Sequence, residues 1–166
     1  FCKNCLNAVK KYNLDGIDLD WEYPTSSSAG ISSSPDDTKN FTLLLKDLRS
    51  VLGNDKLVTM ASSASAKYVD FKSCIDYLNF VNIMTYDMGK PPYHNAGLYK
   101  SSMTKRSCDE SVTLHYNAGV PYDMIVLGVP FYGHGNDTDF TSECLDYRDI
   151  KYDATKYGVR WDSSAQ

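Results

Sequence analysis

Three acids stand at alternate positions, Asp18, Asp20 and Glu22, within the segment Asp15-Gly-Ile-Asp-Leu-Asp-Trp-Glu-Tyr-Pro24. On an extended backbone they share one face, and the apolar Ile17, Leu19 and Trp21 share the other. Neighbouring carboxylates on such a face lie roughly 6–7 Å apart. Crowded acids repel, and repulsion with partial burial raises the pKa of at least one of them. A carboxyl group still protonated near its working pH is a general acid, able to give a proton to a leaving oxygen. Pro24 ends the run and puts Glu22 at the carboxyl end of the strand, where α/β sheets and βα barrels bind ligands.

Three plainer readings compete. A half-solvated strand carries acids on its wet face, but a strand feeding a βαβ unit is usually covered on both faces. An Asp-x-Asp-x-Asp calcium loop needs turn residues where Leu19 and Trp21 stand. A magnesium or manganese site would lack company, because no His or further acid cluster accompanies the run.

The elements that must hold this strand alternate helix with strand. Residues 3–13 read as a helix with Leu6, Val9 and Tyr12 on one face. The acidic strand spans Gly16 to Tyr23, and a Ser-rich loop follows from Thr25 to Ser34. In the next helix Ser34 serves as cap, Pro35 fits the first turn, and Asp36 and Asp37 suit its positive end. Phe41, Leu44, Leu45, Leu48, Val51 and Leu52 form its apolar stripe, closed by Gly53. Leu57 to Ala64 reads as a strand, Val69 to Ile75 as a short helix, Tyr77 to Tyr86 as a third strand and Lys90 to Ser102 as a loop. A helix from Asp109 to Ala118 stops at Gly119, and Met124 to Tyr132 is a fourth strand. Strands separated by helices imply βαβ units and a parallel sheet. From Gly133 onward polar residues mix with aromatics, the texture of an inserted element.

Composition narrows the function classes. The 166 residues are 42% apolar and 23% charged, as in an ordinary globular protein. A net charge of −4 leaves no broad basic face for nucleic acid or an anionic membrane. No apolar run approaches the roughly 20 residues of a membrane span. Thirteen tyrosines and two tryptophans supply flat amphipathic rings that suit sugar faces, and equally suit a β-rich core and its rim. Of the five cysteines, Cys2 and Cys5 form a lone CxxC without a second pair at zinc spacing, so no metal is expected. Asn40-Phe-Thr42 and Asn136-Asp-Thr138 are glycosylation triplets. With the cysteines they point to a secreted, extracellular protein.

The acidic segment resembles the DxxDxDxE signature of the family-18 glycoside hydrolases, the chitinases and their relatives. Asp15, Asp18, Asp20 and Glu22 fill its acidic positions, flanked by Gly16, Trp21, Tyr23 and Pro24. Asn82-Ile-Met-Thr-Tyr-Asp87 is similar to the family's sixth barrel strand, and His94-Asn-Ala-Gly-Leu-Tyr99 to the loop after it. Leu127-Gly-Val-Pro-Phe-Tyr-Gly133 is similar to the seventh strand, and Leu145 to Gln166, with Arg160-Trp-Asp162, to the small α/β insertion that follows. His134 departs from the arginine usual after Tyr-Gly.

This resemblance implies a partial (β/α)₈ TIM barrel, strands four to seven, over residues 1–134, with part of an α/β insertion over 135–166. It implies substrate-assisted retaining hydrolysis of chitin or chito-oligosaccharides, in which the substrate's own 2-acetamido carbonyl replaces the carboxylate nucleophile. Glu22 would be the general acid. Asp20 would orient the acetamido group, Asp18 would set the protonation of Asp20, and Asp15 would be structural. Tyr86 would hydrogen-bond the acetamido carbonyl, with Met84, Asp87, Tyr132 and Tyr23 contacting sugar. Alternation puts Asn82, Met84 and Tyr86 on one face and Asp87 on the other, so Asp87 reaches sugar only if the backbone turns. No cofactor is implied. A sugar-binding lectin of the same fold and an endo-β-N-acetylglucosaminidase acting on N-glycans are the alternatives, and the intact Asp18, Asp20 and Glu22 favour an enzyme. A complete barrel takes about 250 residues, so the chain is expected to be a fragment of a longer sequence.

Overall fold

The computed structural model describes residues 1–135, 144–152 and 159–166, with the side chains of 151 and 152 excepted. Two compact units are present: Phe1–Ile83 with Leu114–Val126, and Met84–Thr113 with Leu127–Gln166.

The first unit is built of βα repeats. Helix α1 (Cys2–Tyr12) leads into strand β1 (Gly16–Leu19), α2 (Asp37–Leu52), β2 (Leu57–Ser63), α3 (Phe71–Cys74) with a 3₁₀ turn (Ile75–Tyr77), and β3 (Phe80–Met84). Helix α4 (Cys108–Ala118) and a second 3₁₀ turn (Tyr122–Met124) precede β4 (Ile125–Leu127). The sheet order is β1-β2-β3-β4, and β1 runs parallel to β2 with Gly16 opposite Leu57 and Asp18 opposite Thr59. Sequential strands with intervening helices are the arrangement expected of a partial (β/α)₈ barrel. Gly16 is required by that pairing, because a Cβ there would collide with the Leu57 carbonyl.

Beneath the sheet Val9, Phe41, Leu45, Leu48, Val58, Met60, Phe71, Cys74 and Val81 form one buried cluster. The stripe of α2 behaves as its spacing requires, with Phe41, Leu45, Leu48 and Leu52 buried. On α1 the face packed on the core is the buried Val9 with the half-buried Cys2, Cys5 and Leu6, rather than Leu6, Val9 and Tyr12. Tyr12 points outward because the helix stops there: Asn13 takes a left-handed conformation at φ 50° and Leu14 N–H closes onto the Val9 carbonyl at 3.0 Å.

Two boundaries differ from expectation. Helix α2 begins at Asp37, later than a Ser34 cap requires. The Asp37 carboxylate is buried and accepts from the backbone N–H groups of Ser34 at 2.7 Å and Thr25 at 3.1 Å, which pins both ends of the Ser-rich loop. The expected fourth strand, 124–132, divides. The chain leaves the sheet after Leu127, because Pro130 lacks the N–H a ladder needs and Gly128 has no side chain to pack.

In the second unit Tyr132–His134 forms β5, antiparallel to β6 (Cys144–Asp146), followed by α5 (Tyr147–Tyr152). Strand β6 and α5 lie in the stretch 135–166 expected to be the insertion, while β5 precedes it; 136–143 and 153–158 fall outside the described residues. At the start of α4, Ser107-Cys-Asp-Glu110 caps the helix reciprocally. Ser107 N–H donates to Glu110 Oε2 at 2.8 Å, and Glu110 N–H to Ser107 Oγ at 3.2 Å.

Candidate active site

The acidic strand keeps the alternation read from its sequence, although its ladder ends at Leu19 rather than Tyr23. Ile17, Leu19 and Trp21 pack on the core, and Trp21 meets Phe41 edge to face with ring centroids 5.8 Å apart. That anchor fixes the backbone between Asp20 and Glu22 after the ladder has ended, and the fully buried Pro24 fixes it beyond. Asp18 and Asp20 stay on the open face, and Glu22 is half-buried.

Each acid has a different environment. Asp18 Oδ1 accepts from Thr59 Oγ1 at 2.5 Å and from Asn82 Nδ2 at 2.9 Å. Register explains both bonds: Thr59 lies opposite Asp18 on the neighbouring strand, and Asn82 occupies the open face of β3 while Val81 and Ile83 are buried. Asp20 is pushed above the ordinary carboxylate range, first by desolvation, then by the charges of Glu22 and Asp18 and by a hydrogen bond shared with Glu22. Burial first and crowding second therefore raise one acid of the three, and that acid is Asp20. Tyr23 is also pushed up, by burial and by a hydrogen bond from its hydroxyl to Glu22. Its ring stacks on Tyr68 with centroids 4.8 Å apart. Glu22 is thus hydrogen-bonded both to the Asp20 carboxyl and to the Tyr23 hydroxyl.

A second constellation lies in the other unit. Strand β3 ends at Met84, and Asp87 has φ 56°, so the backbone does turn where alternation alone would aim Asp87 elsewhere. Asp87 N–H donates to Asn95 Oδ1 at 2.6 Å, which holds the turn. The Asp87 Oδ1 atom accepts from Tyr132 Oη and from His134 Nε2, both at 2.6 Å. Tyr86 meets Tyr132 edge to face with centroids 6.3 Å apart. Burial raises the pKa of the Tyr132 phenol, helped by the Asp87 carboxylate. Tyr132 sits on β5, so the shared face expected for Gly128, Pro130 and Tyr132 is not carried by one continuous strand.

Asp18, Asp20, Glu22 and Tyr23 are thus gathered in one unit, and Tyr86, Asp87 and Tyr132 in the other. Met84 is half-buried at the end of β3. Thr59 carries no signal along the chain, since only the strand register places it opposite Asp18. Asn82 had a signal in its period-two spacing with Met84. The bond from His134 to Asp87 gives a use to the one residue that departs from the expected pattern.

The profile of the glycosyl hydrolases family 18 matches residues 1–166. Chitinase A1 of Niallia circulans is 38% identical over 161 residues, covering 82% of this chain and 23% of that protein. Among solved structures, the chitinase domain of the spore coat protein CotE from Clostridium difficile superposes with a TM-score of 0.85 at 33% identity, covering 100% of this chain and 51% of that one. The Group IV chitinase of Ostrinia furnacalis in complex with allosamidin gives 0.78 at 29% identity, covering 99% and 54%. The chain spans about a quarter of the curated relative and about half of each structure.

Proposed function

The chain belongs to glycosyl hydrolases family 18, and from that premise we propose that it carries the catalytic strand of an enzyme cleaving β-1,4-linked N-acetylglucosamine polymers. The observation that supports this reading is the hydrogen-bonded pair Asp20–Glu22, backed by the Asp18 charge. Glu22 protonates the glycosidic oxygen as the bond to the leaving sugar breaks. The acetamido carbonyl of the same sugar attacks the anomeric carbon, so no second carboxylate acts as nucleophile. Asp20 accepts the acetamido N–H, orienting the carbonyl for attack, and Asp18 shares the charge that builds beside it. Tyr86 steadies the acetamido carbonyl, and Met84, Asp87 and Tyr132 contact the sugar. Tyr23 acts on Glu22 through its hydroxyl.

Export belongs to the same proposal. It is supported by the Asn40-Phe-Thr42 triplet, whose Asn40 is exposed on α2, while Asn136 lies outside the described residues.

The test is turnover of a chromogenic chito-oligosaccharide by the full-length protein and its Glu22→Gln form. Loss of at least about 10²-fold in kcat is expected on removing a general acid. Equal rates would remove Glu22 from that role. Tight binding without turnover in the unmodified protein would make it a sugar-binding lectin.

A further inference from the structure

Cys144 lies directly opposite His134 in the antiparallel β5–β6 register. Facing residues of such a pair share one side of the ribbon, and Cys144 Sγ is 3.3 Å from His134 Nδ1. The other ring nitrogen, Nε2, lies 2.6 Å from Asp87 Oδ1. A carboxylate only accepts, so Nε2 carries the hydrogen and Nδ1 presents a lone pair to the thiol. Sulfur and carboxylate thus stand on opposite sides of the imidazole, a relay rather than a ring of ligands around one centre. Among the described residues no cluster of His, Cys, Asp and Glu is arranged to hold a metal. Cys144 is exposed, the imidazole is only 10% exposed, and Cys74 and Cys108 are buried.

We propose that Cys144, His134 and Asp87 form a reactive-thiol site that exchanges with low-molecular-weight disulfides. His134 Nδ1 takes the Sγ proton, and Asp87 stabilises the imidazolium. The thiolate attacks one sulfur of the disulfide, the S–S bond of the reagent breaks, and a new S–S bond forms to Cys144. The expelled thiolate takes the proton back from Nδ1–H. Cys144 is oxidised, one reagent sulfur is reduced, and no other oxidant is needed. Among the described residues, Tyr132 on β5 interacts electrostatically with the thiol, and Asp146 stands opposite Tyr132 on β6. Arg148 of α5 lies 3.8 Å from Asp146 and 3.5 Å from Asp149.

The full-length protein is treated with oxidised glutathione, and each cysteine is followed by peptide mass mapping. Cys144 is expected to react roughly tenfold or more faster than the half-exposed Cys2 and Cys5, and His134→Gln to remove most of that advantage. The unsubstituted protein supplies a second readout. An unassisted thiol loses about tenfold in rate per pH unit toward acid, whereas general-base assistance by Nδ1 during attack is expected to make the fall at Cys144 less steep. Continued protection of Cys74 and Cys108 in His134→Gln shows that the variant is folded; if they become reactive, the pH profile decides. A full tenfold slope, an undiminished rate in folded His134→Gln, or Cys144 already bound in a disulfide to another cysteine of the protein would overturn the proposal.

Discussion

Asp20 is the acid that this fold disfavours in its ionised form. Its pKa in the folded chain lies above that of an unfolded carboxylate, through desolvation first and the neighbouring acids second. Proton binding and folding therefore favour each other. Below the ordinary carboxylate range Asp20 is protonated in both states and costs the fold nothing; as pH rises through its raised value, stability falls. Asp20→Asn keeps the shape and removes the charge. Its melting temperature is expected to exceed that of the unsubstituted protein at about pH 7, and the difference to close near about pH 3. Scanning calorimetry at the two values checks this, and an equal gap at both would detach the gain from ionisation. The same substitution is expected to lower turnover, so stability and activity move in opposite directions. At this scale the acids were legible because alternation is a property of one strand. Their partners were less so: Thr59 meets Asp18 only once β1 and β2 are in register, and which acid is raised depends on burial, which spacing does not encode.

Helix α4 shows what an element's ends contribute. Its run from Asp109 to Ala118 and the Gly119 stop are readable along the chain, but the start is set by the reciprocal bonds of Ser107 and Glu110. Glu110 is held below the usual carboxylate range, first by the Ser107 N–H and then by Lys100. A depressed pKa supplies stability above the unfolded value, lost as pH falls through the folded one. Ser107→Ala is expected to cost about 1 kcal/mol. Glu110→Gln is expected to lower the melting temperature at neutral pH and to match the unsubstituted protein in acid. A penalty for Glu110→Gln that persists in acid would assign it to packing. Other boundaries depended on contacts distant in sequence. Arg49 on α2 donates to the carbonyls of Gly53, Lys56 and Tyr77, an anchor that no local pattern announces. The run from Met124 to Tyr132 reads as one strand by composition and becomes two because Pro130 interrupts the ladder.

For the whole molecule the sheet itself is the consequence. Its order leaves β1 and β4 each with a neighbour on one side among the described residues. An unpaired strand edge templates association, and natural edges are blunted by charge, bulges or cover. Strand β4 has no charged side chain, and Val126 is 44% exposed. A net charge of −4 on 166 residues offers modest repulsion against self-pairing. The 166-residue chain by itself is therefore expected to scatter light as species heavier than its 18.6 kDa at micromolar concentration. Val126→Lys, which puts a charge on the edge strand, is expected to shift the distribution toward the single chain. In the full-length protein the same substitution is expected to lower the melting temperature instead, because there a barrel would enclose the strand in neighbours. A monodisperse 18.6 kDa particle with one cooperative melting transition would show that four strands with their helices cover their own edges. Association unaffected by Val126→Lys would place the contact on another surface.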